Sequence, residues 1–110
     1  AGTPLYMSPE ALANRSPDVS FDLWSLSVVL FEALAGRHPF ERATWIETQA
    51  AIRHARALDL RALAPGCPAD LADTLADCLS PQPRRRPASA EDLRARLAAL
   101  APRDRMRGAA

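Results

Sequence analysis

The sequence predicts an all-α fold, about five helices gathered round one buried central helix, and three observations lead there. Residues 20–35, SFDLWSLSVVLFEALA, are apolar on almost every face and close on Gly36, the pattern of a helix buried on all sides. Leu71, Leu75, Cys78 and Leu79 fall at i, i+4, i+7 and i+8, a one-sided helical stripe within residues 69–79. No segment alternates apolar and polar residues in the way a half-buried strand would.

The elements follow in order. Ser8, Pro9 and Glu10 read as a helix start: a capping hydroxyl, a proline suited to the first helical position and an early carboxylate at the positive end of the dipole. This helix is short, because Asn14-Arg15-Ser16-Pro17 breaks it. The central helix over residues 20–35 comes next, and its neighbours in this chain all lie C-terminal to it, so part of its apolar surface is expected to stay uncovered. After a GRHPF turn, residues 43–57 read as an amphipathic helix with Trp45, Ile46 and Ile52 as its apolar positions. LDLRALAPGCP reads as a looser stretch leading to the helix at 69–79. Ser89, Glu91 and Asp92 start a last helix with Leu93, Leu97 and Leu100 on one face. Pro102 is expected to end it, leaving residues 102–110 as a flexible tail on a domain spanning 1–101.

Composition excludes several function classes. At 110 residues the chain holds one modest domain, and no apolar run approaches a membrane span. A net charge of +1 gives no pull toward nucleic acid or a membrane surface. The Arg84-Arg85-Arg86 run lacks interleaved aromatics and makes a weak nucleic-acid footprint. Cys67 and Cys78 form no CxxC pair, so they read as buried free thiols of a cytoplasmic protein. His38 and His54 read as turn and helix-surface residues, and two distant histidines make no metal site. All 14 basic residues are arginines, so chemistry that needs a lysine amine cannot come from these residues.

Three motifs carry the functional reading. GTPLYMSPE, residues 2–10, resembles the stretch that closes the activation segment of eukaryotic-type protein kinases, with Ser8-Pro9-Glu10 in place of the Ala-Pro-Glu signature. FDLWSLSVVLFEALAGRHPF is similar to that family's buried central helix and the turn after it. LSPQPRRRPASAEDL is similar to the element leading into its last helix. The Gly-Thr-Pro before the signature points to the Ser/Thr class, and the resemblance is to a bacterial-type sequence of that class; the alanine- and arginine-rich composition reads as coding bias of a GC-rich genome. The resemblance therefore implies the C-terminal half of the helical lobe of a Ser/Thr protein kinase domain.

What the resemblance implies can be stated residue by residue. Glu10 should pair with Arg86, tying the end of the activation segment to the loop before the last helix. Arg84 and Arg85 read as solvated neighbours. Asp22, which favours the helix dipole in any case, should hydrogen-bond the backbone of the family's catalytic loop. Trp24 belongs to the central-helix motif. Ser27 stands where the family usually has glycine. Thr3 should help position the acceptor hydroxyl, and Tyr6 and Met7 should line the pocket for the substrate residue after it; packing against the next helix is the plainer role for Tyr6 and Met7.

The same resemblance defines what these residues lack. The Gly-rich loop, strand lysine, HRD loop and DFG segment of the family are absent from the sequence. The chain is thus expected to bind no ATP, magnesium or other cofactor by itself and to carry no catalytic residue. ATP and magnesium belong to the full parent kinase, which would phosphorylate protein Ser or Thr. The opening directly on a dense motif suggests that an N-terminal kinase half is missing and is the partner of this one. The alternative is a stand-alone interaction module of a degenerate kinase, binding a protein partner through the face that half would cover.

Overall fold

Side-chain chemistry at the cap positions sets where each helix begins. The structure, a computed structural model, describes residues 4–109, with side chains for residues 5–100. A 3-10 turn at Pro4–Tyr6 leads to Ser8, whose Oγ accepts from the Ala11 N–H at 3.1 Å and opens α1, Pro9–Leu12. Asn14, at φ 61°, turns the chain out of α1 in a left-handed conformation that asparagine tolerates.

Asp18 caps α2, Val19–Ala35, by accepting from the Ser20 N–H at 2.8 Å, so the helix starts one residue earlier than the apolar run suggests. Gly36 closes α2 at φ 78°, its N–H donating to the Glu32 carbonyl at 2.9 Å. Nothing lies within 4 Å of a Cβ built on Gly36. Gly36→Ala is therefore expected to cost about 1 kcal/mol, the left-handed backbone penalty alone, read as a lowered urea midpoint.

Thr44 and Glu47 form a reciprocal cap for α3, Trp45–His54. The stretch read as loose contains a one-turn helix, α4 (Leu60–Leu63), capped by Asp59 and anchored by the buried Leu60. Then come α5, Ala69–Cys78, and a 3-10 turn at Pro83–Arg85. In α6, Ala90–Ala109, Ser89 Oγ accepts from the Asp92 N–H while the Asp92 carboxylate accepts from the Ala88 N–H, both at 3.0 Å. Its end at Pro102 is corrected: the helix continues to Ala109. Proline lacks one N–H and so removes one rung of the helical ladder, which the turns on either side can outlast. No strand occurs among the described residues, and the all-α class stands.

α2 is the centre of the packing, touching α4, α5 and the Pro4–Tyr6 turn, while α5 also packs on α4 and α6, and α1 packs on α3. The core joins Trp24, Val28 and Phe31 of α2 to Phe40, Ile52, Leu60, Leu75 and Leu79. Each such side chain contributes about 1.5–3 kcal/mol by leaving water.

Two burial patterns differ from a simple reading of hydrophobicity. In α3 the buried face is Thr48, Ala51 and Ile52, while Ile46 is 77% exposed and Trp45 is also exposed. Both occupy the first turn, and Ile46 points off the Ile52 face. In α2, Val19, Leu26, Val29 and Leu34 are 41–52% exposed, so the central helix is covered on one side only. Cys67 and Cys78 are buried free thiols, and burial pushes the Cys78 thiol above its ordinary range.

Candidate functional site

The residues from Leu5 to Glu10 form a loop held at both ends. At its start the Leu5 carbonyl lies 2.7 Å from His38 Nε2, and Ser25 Oγ donates to the Tyr6 carbonyl at 2.7 Å. The half-buried Tyr6 packs on the core and its hydroxyl donates to Glu32 Oε1 at 2.6 Å. Beside it Met7 is 37% exposed. The expected role of Thr3 falls outside the described residues.

The Glu32 carboxylate, by accepting the phenol's hydrogen bond, raises the Tyr6 pKa above its ordinary value, with burial and Glu41 adding to the effect. A phenol raised in the folded state adds stability that is complete below the unfolded value and is lost as pH rises through the folded one. Tyr6→Phe is therefore expected to lower stability by about 1 kcal/mol near neutrality and to flatten the alkaline loss. Denaturation midpoints of both proteins across the alkaline range check this; parallel curves would show that the bond contributes nothing.

At the other end of the loop, Glu10 meets Arg86 across 76 residues of sequence. The guanidinium divides its donors between two acceptors. Arg86 Nη1 alone reaches both carboxylate oxygens, at 3.0 and 2.8 Å, while Nε donates to the Ser80 carbonyl at 2.8 Å. Side-chain exposure is 9% for Arg86 and 19% for Glu10, so little water competes for the pair. Pro9, half-buried at the first position of α1, and the buried Ser8 fix the direction in which Glu10 leaves the loop.

A column of stacked groups connects the two ends. The Arg86 guanidinium carbon sits 4.9 Å from the Trp24 ring centroid, and Trp24 stacks on Phe40 at 5.6 Å and 12°. Phe40 meets His38 edge-on at 6.3 Å, and His38 meets Tyr6 edge-on at 5.9 Å. His38 departs from the ordinary turn residue that its sequence position predicts. It is 3% exposed, with both ring nitrogens engaged: Nδ1 accepts from the Phe40 N–H at 3.0 Å and Nε2 faces Leu5. Its neighbours in the GRHPF turn give no periodic signal of burial, and the Nε2 partner, Leu5, lies 33 residues upstream.

A loop closed by Ser-Pro-Glu, pinned to a central helix and to the arginine before the last helix, is the arrangement expected from the motifs. The profile of the protein kinase domain family matches residues 1–97.

This chain belongs to the protein kinase domain family.

Serine/threonine-protein kinase ULK3 of mouse and of human are each 41% identical to it over 85 residues, 77% of this chain and 18% of theirs. The G2-specific protein kinase nim-1 of Neurospora crassa is 35% identical over 89 residues, 81% of this chain and 10% of its own. The chain thus spans less than a fifth of the length of these relatives. The eukaryotic-type Ser/Thr kinase resemblance agrees with them, and the chain is a partial protein kinase domain.

In a kinase domain the remaining motif residues acquire definite places. Asp22 lies exposed in the first turn of α2, in register with the uncovered Val19, Leu26 and Val29, so no buried carboxylate is left without donors. Ser27, at the usual glycine position, is 1% exposed and donates to the Leu23 carbonyl at 2.7 Å. That bond back along the helix satisfies its buried hydroxyl. Arg84 and Arg85 are exposed, as expected of solvated neighbours.

Kinases draw phosphate from ATP with magnesium. The residues here do not fit that group: the sequence has no lysine and no Gly-rich loop. Among the described residues no group of three or more His, Cys, Asp or Glu side chains could hold a metal. A cleft of ≈ 470 Å³ lined by Phe31, Leu60, Leu75 and Leu79 includes none of Tyr6, Met7, Glu10, Trp24 and Arg86. What the site can do is hold the Leu5–Glu10 loop in one shape. No helix of the described residues is long and apolar enough to cross a membrane.

Proposed function

We propose that this chain is the substrate-platform and scaffold half of a cytoplasmic Ser/Thr protein kinase. The parent enzyme phosphorylates protein Ser or Thr with ATP and magnesium. The observation that carries the reading is the Glu10–Arg86 pair, which fixes the end of the Leu5–Glu10 loop against the last-helix element. Phosphoryl transfer depends mainly on positioning its two substrates, and a loop anchored at both ends can hold an acceptor peptide. In this reading Tyr6 and Met7 face the residue after the acceptor, Thr3 helps to place the acceptor hydroxyl, and no catalytic residue comes from this chain.

The uncovered face of α2 supports the same reading. Val19, Leu26, Val29 and Leu34 make an apolar strip on the central helix, and Asp22 stands among them. The partner that fits is the N-terminal half of the kinase domain, with Asp22 accepting from its catalytic-loop backbone. The other reading, a degenerate-kinase module, would cover this face with a separate protein.

Immunoblotting of source cells with antibody to residues 84–107, followed by phosphotransfer assay of the captured protein, tests the proposal. A product much larger than 11.9 kDa that phosphorylates protein Ser or Thr is expected. A product of that mass without transfer activity would replace the kinase reading with the interaction module.

A further inference from the structure

Three hydrogen bonds hold the start of the loop, and they differ in chemistry. Ser25 Oγ on the Tyr6 carbonyl and the Tyr6 hydroxyl on Glu32 both come from α2. The third, His38 to the Leu5 carbonyl, comes from the turn after α2 and uses a ring whose protonation is decided by its other contact. Phe40 N–H can only donate, so Nδ1 must be the unprotonated acceptor. Nε2 must then carry the proton and donate to Leu5.

We infer that His38, as the neutral Nε2–H tautomer, is the positioning residue that sets the Leu5–Met7 loop for its substrate, and that its hold exists only while the ring is neutral. A second proton would land on Nδ1 and set two donors face to face at Phe40. In a 3% exposed site neither donor has water to turn to, so the ring must leave its place or Phe40 must move. Phe40 is fully buried and stacked on Trp24, so the His38 ring is the part that yields, and its departure takes Nε2 away from Leu5. Of the titratable and charged groups, Tyr6 meets the ring edge-on, Glu32 on α2 lies beyond it on the phenol, and Arg37, Glu41 and Arg42 are its neighbours along the turn. Glu32 already accepts the Tyr6 hydroxyl, and Arg42 Nη1 donates to the Phe40 carbonyl at 3.0 Å. His54, exposed on the last turn of α3, makes no part of this contact.

The substrate side of this inference rests on the kinase reading; the latch itself rests on geometry alone. The test uses the polypeptide as its source cell makes it, with hydrogen exchange of the peptide covering Leu5–Met7, corrected for intrinsic rates. His38→Gln keeps a donor for the Leu5 carbonyl without a titrating group, and His38→Ala removes it. At about pH 7.5, His38→Ala is expected to lose about tenfold protection in this peptide, with His38→Gln near wild type. On going to about pH 5, wild type is expected to lose a similar factor and His38→Gln to stay level. Should His38→Ala lose protection throughout α2 as well, the comparison of wild type with His38→Gln across pH decides. Equal acid loss in those two, or no loss in either, overturns the inference.

A second readout separates the latch from the kinase reading. With histone as acceptor, the wild-type KM is expected to rise several-fold on acidification and the His38→Gln KM to stay flat. An unchanged wild-type KM would overturn the substrate role. Absence of any transfer by wild type, with the exchange pattern intact, would overturn the kinase reading and leave the latch standing.

Discussion

Arg86→Ala is expected to destabilise the fold by about 3 kcal/mol, near the lower end of the cost of breaking a buried ion pair. The substitution strands the Glu10 carboxylate, frees the Ser80 carbonyl and uncovers one face of Trp24, since one guanidinium serves all three. Glu10→Ala should cost less, about 2 kcal/mol, because Arg86 keeps Ser80 and the indole. The double variant should then fall short of the sum by about 1 kcal/mol or more. Urea unfolding of the four proteins measures this directly. Additive effects would mean that the two side chains are independently solvated, and the anchor of the loop would have to be sought elsewhere.

Trp24→Ala should be the costliest single truncation, about 3–5 kcal/mol. Trp24 is 1% exposed and lies between the Arg86 guanidinium and the parallel Phe40 ring, so its loss opens a cavity in the middle of the column. Trp24→Phe should recover roughly half, since a smaller ring keeps a face for both neighbours. The substitution should also couple to Arg86→Ala, because each removes part of the same contact. Two measurements check it: the unfolding midpoint, and the near-ultraviolet circular dichroism of the stacked aromatics. A loss below about 1 kcal/mol would show that the column relaxes freely around the vacancy.

The positions and kinds of most helices were legible in the sequence because they depend on nearest neighbours along the chain. Ser8, Ser89 and Gly36 cap as their chemistry dictates, and the Leu75–Cys78–Leu79 stripe is buried as its spacing requires. Motif order likewise identified the family and brought Glu10 and Arg86 together, because that pairing is written in residue types at recognisable places. Legibility failed where a tertiary partner decides. Trp45 and Ile46 are apolar yet exposed, because the face of α3 that packs is the one carrying Thr48, Ala51 and Ile52. Pro102 leaves a helix running to Ala109 where a stop was expected.

His38 shows the limit most plainly. Its type and its place in a turn were open in the sequence, but its burial and its hold on Leu5 are not local properties. The sequence by itself determined the helical class, the kinase family and the absence of lysine chemistry, since composition, periodicity and motif order carry all three. Only the tertiary structure decided that one guanidinium nitrogen serves both oxygens of Glu10, that Ser27 answers its own helix, and that a histidine ring holds the loop. Hydrogen bonds are directional and short, so which groups share them depends on coordinates that spacing along a chain does not contain.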